Sequence, residues 1–218
     1  MNWRSLRPAY LVPRLRQIAF VKKHPDTPWL TESGIRLLDS WLKPTDVGLE
    51  WGSGRSTAWF ARRVGKMTSV EDNRQWYERV KQLLQDQGVS EKVDYRYIPC
   101  EHREVDEPSS HPYADVADEF AEASLDFALV DGNIRVLCMQ KVLSKIKPGG
   151  LLILDNANRY FPNVSLGAPA TSHEPRRDYK SEKWKQLGHS LSNWRAILTT
   201  DRIWDTRFWV KPLTEETS

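Results

Sequence analysis

Two glycines separated by one residue, Gly52 and Gly54, lie between a short apolar run that ends at Glu50 and a helical pattern that begins at Thr57. Glycine lets a backbone turn sharply and approach a ligand without a Cβ atom in the way. The amides at the start of the following helix then favour a negatively charged group. Glu71 ends the next apolar run about 20 residues further on, where an acid can bind the hydroxyls of a ribose. The spacing therefore predicts a strand–turn–helix unit that binds a ribose-containing ligand.

Apolar runs of strand length alternate with helical patterns along the chain. This alternation predicts an α/β fold with a doubly wound, mainly parallel seven-stranded sheet and a C-terminal antiparallel strand. The fifth run is apolar throughout, as a central parallel strand should be. We expect strands at 47–50, 67–70, 93–98, 125–130, 151–154, 195–199 and 207–210, and helices at 11–22, 31–41, 57–64, 74–87, 134–146 and 181–188.

Length and composition indicate one globular domain. The chain has 218 residues, of which 28% are charged, and this suits a single α/β domain with a substantial core. We expect that domain to span residues 1–218. Its expected parts are an N-terminal helical segment at 1–44, a cofactor-binding core at 45–156, an active-site loop at 157–178, and a C-terminal helix and strands at 179–218.

Charge, hydropathy and cysteine content bear on partners and location. The net charge of +3 does not by itself indicate a nucleic-acid partner, although residues 1–23 carry six basic side chains and no acid. No apolar run approaches the length of a membrane span. Two cysteines, Cys100 and Cys138, do not make a disulfide framework, which predicts a reducing, cytoplasmic compartment. The sequence is compatible with a homodimer.

The glycine turn lacks the third glycine of the dinucleotide fingerprint, because Ser56 and Thr57 stand near that place. The turn is therefore less suited to binding the pyrophosphate of a dinucleotide. A ligand with an adenosine at one end and an amino acid at the other fits this turn better.

Four motifs occur in order: Glu-x-Gly-x-Gly after the first strand, an acid after the second, Asp131-Gly132 after the fourth, and Lys-Pro-Gly-Gly before the fifth. Together, over residues 45–156, they resemble class I S-adenosylmethionine-dependent methyltransferases, which have a Rossmann-like fold. The resemblance implies that Glu71 holds the ribose and that Glu101 lies near the adenine. It implies cofactor contacts from Glu50, Gly52, Ser53, Gly54, Ser56, Thr57, Glu71, Asp72, Glu101 and Asp131.

Asp131, Asp155 and Asn156 follow the two central strands, at the edge where open α/β sheets place their sites. These residue types resemble the metal triad of the catechol and caffeoyl-CoA O-methyltransferases. Three oxygen ligands would suit Mg²⁺ or another divalent cation. The lysine base that those enzymes carry three residues after the first aspartate is replaced here by Ile134. The alternative is that these side chains cap helices or hold the amino group of the cofactor.

The chemistry of methyl transfer assigns the remaining roles. The donor is already activated, so the protein mainly aligns donor and acceptor, and we expect Asp131 to be the catalytic residue. The expected acceptor is a small molecule with a hydroxyl or carboxyl group, methylated on oxygen. Its predicted contacts are Arg135, Tyr160, Phe161, Arg176 and Arg177, and the alternative general bases are His102, His111 and His173.

Three other functions remain open at this stage. They are an oxidoreductase that binds NAD, a protein that keeps the cofactor crevice without catalysis, and an RNA methyltransferase that uses the basic N-terminus.

Overall fold

The computed structural model describes residues 8–101, 109–162, 178–202 and 204–213, with side chains from residue 11 onwards. The α-helices are α1 (Pro8–Lys23), α2 (Glu32–Trp41), α3 (Arg55–Ala61), α4 (Arg74–Asp86), α5 (Pro112–Asp115), α6 (Arg135–Val142) and α7 (Glu182–Ser190). The strands are β1 (Val47–Trp51), β2 (Lys66–Glu71), β3 (Val93–Tyr97), β4 (Leu125–Val130), β5 (Ile146–Leu154), β6 (Arg195–Thr200) and β7 (Asp205–Val210).

The strands form one seven-stranded sheet in the order β3-β2-β1-β4-β5-β7-β6. Strand β7 is antiparallel to both of its neighbours, and the other six strands run in the same direction. This arrangement confirms the predicted doubly wound sheet with a C-terminal antiparallel strand. The strand order reverses between β1 and β4, and ligands of open α/β sheets bind in the crevice that such a reversal leaves at the carboxyl ends.

The sheet is buried on both faces, because neighbouring residues of a strand point to opposite sides. On one face Ala128 and Leu152 belong to the core that includes α5, α6 and α7. On the other face Leu129 and Ile153 pack with α2, α3 and α4. Double burial explains why β4 and β5 contain uninterrupted apolar runs at 127–130 and 151–154.

The connection before β5 differs from the prediction. Helix α6 ends at Val142, not at residue 146, and the predicted turn at Lys-Pro-Gly-Gly is part of a longer strand. Gly149 can join the strand because it tolerates its φ of +79°. Its amide donates to the Lys211 carbonyl oxygen (2.9 Å), while the Lys211 amide donates to Gly150 (3.0 Å). Pairing beside β7 therefore extends the sheet through the predicted turn.

The last hairpin also differs in its turn. The sequence predicts the turn at residues 204–206, whereas β7 already begins at Asp205. The turn lies earlier, where the Asp201 carboxylate accepts the amide of Trp204 (2.7 Å). This shift makes Thr206 a strand residue with a buried side chain.

Near the N-terminus, Thr31 caps α2 by accepting the amide of Gly34 (3.2 Å). Within the described part of the chain, no helix is both long and apolar enough to cross a membrane. The side chains of Cys100 and Cys138 are both buried.

Candidate active site

The two glycines of the β1–α3 turn have different roles. Gly52 has a φ of +87°, and a Cβ atom there would lie 2.7 Å from the amide nitrogen of Gly132. The turn therefore packs directly against the end of β4, which a side chain at Gly52 would prevent. A Cβ atom at Gly54 would meet nothing closer than the ring of Trp76, at 3.9 Å. Gly54 thus leaves free space in the crevice beside the turn.

Glu71, at the end of β2, is bonded to this turn. One carboxylate oxygen accepts the amide (3.0 Å) and the hydroxyl (2.7 Å) of Ser53, and the other accepts the amide of Asn73 (2.9 Å). The indole of Trp76 donates to the Ser53 carbonyl oxygen (2.8 Å), and the Tyr95 hydroxyl lies 2.7 Å from the Ser53 hydroxyl. Among the described residues, the hydrogen-bond partners of Glu71 are therefore all neutral, in a geometry that a ligand hydroxyl can join or replace.

Two further acids predicted at the adenosine end lie apart from each other. Asp72 accepts the side-chain amide of Asn133 (2.7 Å), so it joins the end of β2 to the residues that follow β4. Burial, and then the charge of Glu71, raises the pKa of Asp72. Glu101 is exposed and stands at the edge of the described chain. The structure brings Asp72 to the crevice and leaves the contact of Glu101 a prediction.

Glu50 is fully buried beneath the glycine turn. One of its oxygens accepts the hydroxyls of Thr57 (2.6 Å) and Ser69 (2.7 Å). Loss of hydration raises the pKa of Glu50 to about 7, an effect that the hydroxyls of Ser56, Thr57 and Ser69 only partly offset. Glu50 therefore supports the turn from below, with Ser56 and Thr57 as its partners.

Replacing Glu50 with glutamine is expected to change the dependence of stability on pH. The folded-state pKa of about 7 exceeds the ordinary 4.5, so the unfolded chain ionises first and wild-type stability falls as pH rises through this window. Glutamine cannot ionise, so its stability relative to wild type should increase by up to about 3 kcal/mol between about pH 5 and pH 8. Urea unfolding across this range measures the difference. Parallel pH profiles for the two proteins would contradict the assignment.

Arg135 connects the ends of the two central strands. Its guanidinium donates to the carbonyl oxygens of Asp131 (2.6 Å), Gly132 (2.8 Å) and Asp155 (2.6 Å), and to the Asp131 carboxylate (2.9 Å). The residue is only 7% exposed. In this structure the guanidinium is occupied by acceptors of the protein itself, and the contact of Arg135 with a substrate stays a prediction. Arg135 holds Asp131, whose side chain is 33% exposed.

Asp155 is buried beside Asp131, and its own partners are neutral. The Thr206 hydroxyl donates to one carboxylate oxygen and the Asn156 side-chain amide to the other, both at 2.7 Å. Burial, and then the charge of Asp131, raises the pKa of Asp155. Thr206 from β7 was not predicted as a site residue, because only the correct hairpin register brings it to this edge.

The predicted metal triad does not fit a divalent cation as it is arranged here. Both Asp155 oxygens accept internal hydrogen bonds, and Asp131 is paired with a guanidinium, whereas a hard cation needs these oxygens as ligands. In the four described ranges, no group of three or more His, Cys, Asp or Glu side chains is placed to hold a metal. We therefore derive no step through a cation.

The other predicted acceptor contacts have different placements. Tyr160 and Phe161 are buried, at 1% and 4% exposure. Tyr160 stacks on Trp184 with ring centroids 4.3 Å apart, and Phe161 contacts Trp209 at 5.3 Å. Both rings pack in the core in this structure, and their contact with a substrate stays a prediction. Arg176, Arg177, His102 and His173 lie outside the described residues, and His111 accepts a backbone amide at the start of α5.

A cavity of about 1160 Å³ opens beside Asp131 and Asp155. Helix α1, the start of α2 and the β6–β7 turn surround it. Its aromatic wall includes Trp29 and Trp204, neither of which belongs to a sequence motif. The side chains that line the cavity come from distant segments of the chain, and they meet only in the folded protein.

Arg55 is another residue close to the glycine turn that no sequence motif predicts. Its guanidinium lies 5.6 Å from the ring centroid of Trp29, and Trp29 in turn lies 6.0 Å from Trp76. Its Nη1 atom is buried and has no hydrogen-bond partner among the described residues. A buried guanidinium N–H without a partner next to the glycine turn fits a ligand carboxylate. The amino-acid end of S-adenosylmethionine carries such a group.

No family model and no curated protein sequence matches this chain. Solved structures match it in fold, and two of them are a putative methyltransferase in complex with S-adenosylhomocysteine and an O-methyltransferase in complex with S-adenosylmethionine. The chain has the Rossmann-like fold of class I methyltransferases.

Three of the similar structures illustrate the likeness. The O-methyltransferase TomG from Streptomyces achromogenes is 20% identical, with a TM-score of 0.56, over 94% of this chain and 90% of its own. Cofactor-bound Rv0187 from MTB is 18% identical, with a TM-score of 0.59, over 96% and 91%. An rRNA methylase from Streptococcus thermophilus is 14% identical, with a TM-score of 0.54, over 81% and 93%. At these identities the likeness concerns the fold alone.

Proposed function

We propose that this protein is an S-adenosylmethionine-dependent methyltransferase that methylates an oxygen of a small acceptor. The observation that carries the proposal is the buried carboxylate of Glu71, bonded to the same glycine turn that leaves free space at Gly54. The Glu71 carboxylate can accept hydrogen bonds from the ribose hydroxyls of an adenosine, and the free space at Gly54 lets the amino-acid end of the cofactor approach the turn. The unpaired Nη1 atom of Arg55 adds a partner for the carboxylate of that tail.

In the proposed reaction, an acceptor oxygen attacks the methyl carbon of the bound sulfonium. The new C–O bond forms as the C–S bond breaks, which leaves S-adenosylhomocysteine, the methylated acceptor and one proton. The cofactor supplies an activated methyl group, so the chain mainly has to align the acceptor. The cavity beside Asp131 is the space in which an acceptor would be held.

Asp131 is proposed to receive the proton. Arg135 holds one carboxylate oxygen in place, and a third of the side chain remains exposed toward the cavity. Burial raises the pKa of Asp131 more than Arg135 lowers it, which makes this carboxylate a better base than one at the surface. A metal-activated hydroxyl is not needed in this scheme.

Turnover tests the proposed function directly. The protein is incubated with S-adenosylmethionine and a panel of small hydroxylated acceptors, and products that have gained one methyl group are detected by mass spectrometry. Asp131→Asn should reduce kcat by about 100-fold or more and remove the acidic limb of the pH–rate profile. Methylation of RNA with none of the small acceptors would contradict the proposed acceptor class, and the absence of any methylated product would contradict the activity.

Replacing Gly52 with alanine and replacing Gly54 with alanine are expected to have different effects. Gly52→Ala should destabilise the protein by about 2 kcal/mol, since it forces a side chain onto a positive φ and into the end of β4. Gly54→Ala should leave stability within about 0.5 kcal/mol. Its methyl group would occupy the free space in the crevice, so affinity for S-adenosylhomocysteine should fall about 10-fold or more.

Urea unfolding and calorimetric titration distinguish these two effects. Gly54→Ala is the matched control for stability, and Gly88→Ala, at a glycine with no neighbour within 4 Å of the added Cβ atom, is the control for affinity. Unchanged affinity in Gly54→Ala would place the cofactor away from this turn.

A further inference from the structure

We propose that the acceptor is a small organic anion with an apolar body, bound through four cations that line the cavity beside Asp131. These cations, which we name the basic rim, are Arg14, Arg16, Lys22 and Arg202. This inference rests on the proposed function, because it concerns the acceptor of that same site.

The basic rim lacks acidic partners within the described residues. Arg14 donates to the neutral side chain of Gln17 (2.6 Å), and no ion pair involves Arg16, Lys22 or Arg202 there. The rim comes from two distant segments. Helix α1 supplies three of its side chains, and the β6–β7 turn supplies Arg202 on the other side.

Four acids line the same cavity, and most of them are balanced already. Asp201 lies next to Arg202 in the chain, and its carboxylate accepts the amide of Trp204 (2.7 Å). Asp131 is paired with Arg135 (2.9 Å), and Glu32 is paired with Arg36 (2.6 Å). Asp155 is buried with neutral donors, and burial raises its pKa. The excess charge of the cavity is therefore positive and lies at its rim. A carboxylate or phosphate there would gain charge-assisted hydrogen bonds, above all from the planar guanidinium groups.

Part of the cavity wall is apolar. Phe20, Val21 and Leu30 line this zone together with Trp29 and Trp204. Aromatic and aliphatic walls with a few polar groups are typical of small-molecule pockets, and about 1160 Å³ accommodates a molecule with several rings. The favoured acceptor thus places its hydroxyl at Asp131, its apolar body along the wall and its anionic group at the rim.

A matched pair of fluorescent probes tests this charge preference without knowledge of the natural acceptor. 8-Anilinonaphthalene-1-sulfonate and N-phenyl-1-naphthylamine have the same ring system, but only the first carries an anionic group. At low salt, the sulfonate should bind about 10-fold more tightly or better. Equal or weaker binding of the sulfonate, or no binding of either probe, would overturn the proposal.

Variants locate the preference at the rim. Arg16→Gln and Arg202→Gln should each weaken binding of the sulfonate about three- to ten-fold and leave the neutral probe unchanged. Arg79→Gln makes the same chemical change on the exposed face of α4 and should have no effect. Unchanged sulfonate binding in both rim variants would contradict the assignment to the rim.

Competition identifies the class of anion. Displacement of the sulfonate by 1-naphthoate indicates a carboxylate acceptor, and displacement by 1-naphthyl phosphate indicates a phosphorylated one. Failure of both to compete, or stronger competition by a short single-stranded RNA, would overturn the small-anion proposal. Binding of S-adenosylhomocysteine is measured separately, so loss of charge preference with normal cofactor binding overturns this inference alone. Charge preference without cofactor binding would instead overturn the proposed methyltransferase.

Discussion

Replacing Glu71 with alanine is expected to weaken binding of S-adenosylhomocysteine by at least about 100-fold. A ribose offers two hydroxyl donors, and each hydrogen bond to a charged acceptor contributes about 1.5–3 kcal/mol. Alanine removes both acceptor oxygens. Isothermal titration calorimetry with S-adenosylhomocysteine measures the loss, and Glu71→Gln should lie between alanine and the wild type because it keeps one acceptor.

The control for this experiment is Glu78→Ala on α4. The Glu78 side chain is 51% exposed and pairs with Arg74 (3.1 Å), so its removal should leave affinity unchanged. An equal loss in both variants would point to a general electrostatic effect. Near-normal affinity in Glu71→Ala would remove this acid from the cofactor site.

Replacing Arg135 with methionine is expected to destabilise the protein by about 3–5 kcal/mol. The substitution leaves a half-buried Asp131 carboxylate without its counter-ion, and it leaves three carbonyl oxygens without their donor. Arg135→Lys should recover only part of this stability, since one ammonium cannot reach acceptors arranged around a planar guanidinium. Urea unfolding gives the values.

Arg74→Met is the matched control for Arg135. Arg74 is 65% exposed and takes part in an i,i+4 ion pair, which contributes at most about 1 kcal/mol. Stability of Arg135→Met within about 1 kcal/mol of the wild type would show that the guanidinium does not connect the ends of β4 and β5 as described.

The sequence predicts the layered core of this fold well, because the central strands carry a signal of their own. A strand segment buried on both faces is expected to be apolar throughout, as 127–130 and 151–154 are. The errors lie where pairing between distant strands overrides local turn chemistry. Gly149 and Gly150 favour a turn locally, but bonds to Lys211, some 60 residues further on, extend the strand through them.

The residues of the candidate site also fall into two groups, those that a local sequence pattern predicts and those that only distant contacts bring together. The glycine turn and Glu71 are predictable because their spacing belongs to one strand–turn–helix unit and the strand that follows it. The role of Arg135 is not predictable, since an arginine at the surface and a buried arginine that connects two strand ends have the same local sequence. Thr206 and Trp29 carry no local signal either, and they join the site only through the β7 register and the docking of the N-terminal segment.

Titration of the wild-type protein with S-adenosylhomocysteine tests the central claim most directly. The glycine turn, Glu71 and Arg55 should give saturable binding with one ligand per chain. A ligand concentration of about 100 times Kd should stabilise the fold by about 2.7 kcal/mol, and this corresponds to a rise in Tm of roughly 5–10 °C. NAD serves as the comparison ligand. Binding of NAD without any heat or Tm shift from S-adenosylhomocysteine would contradict the account.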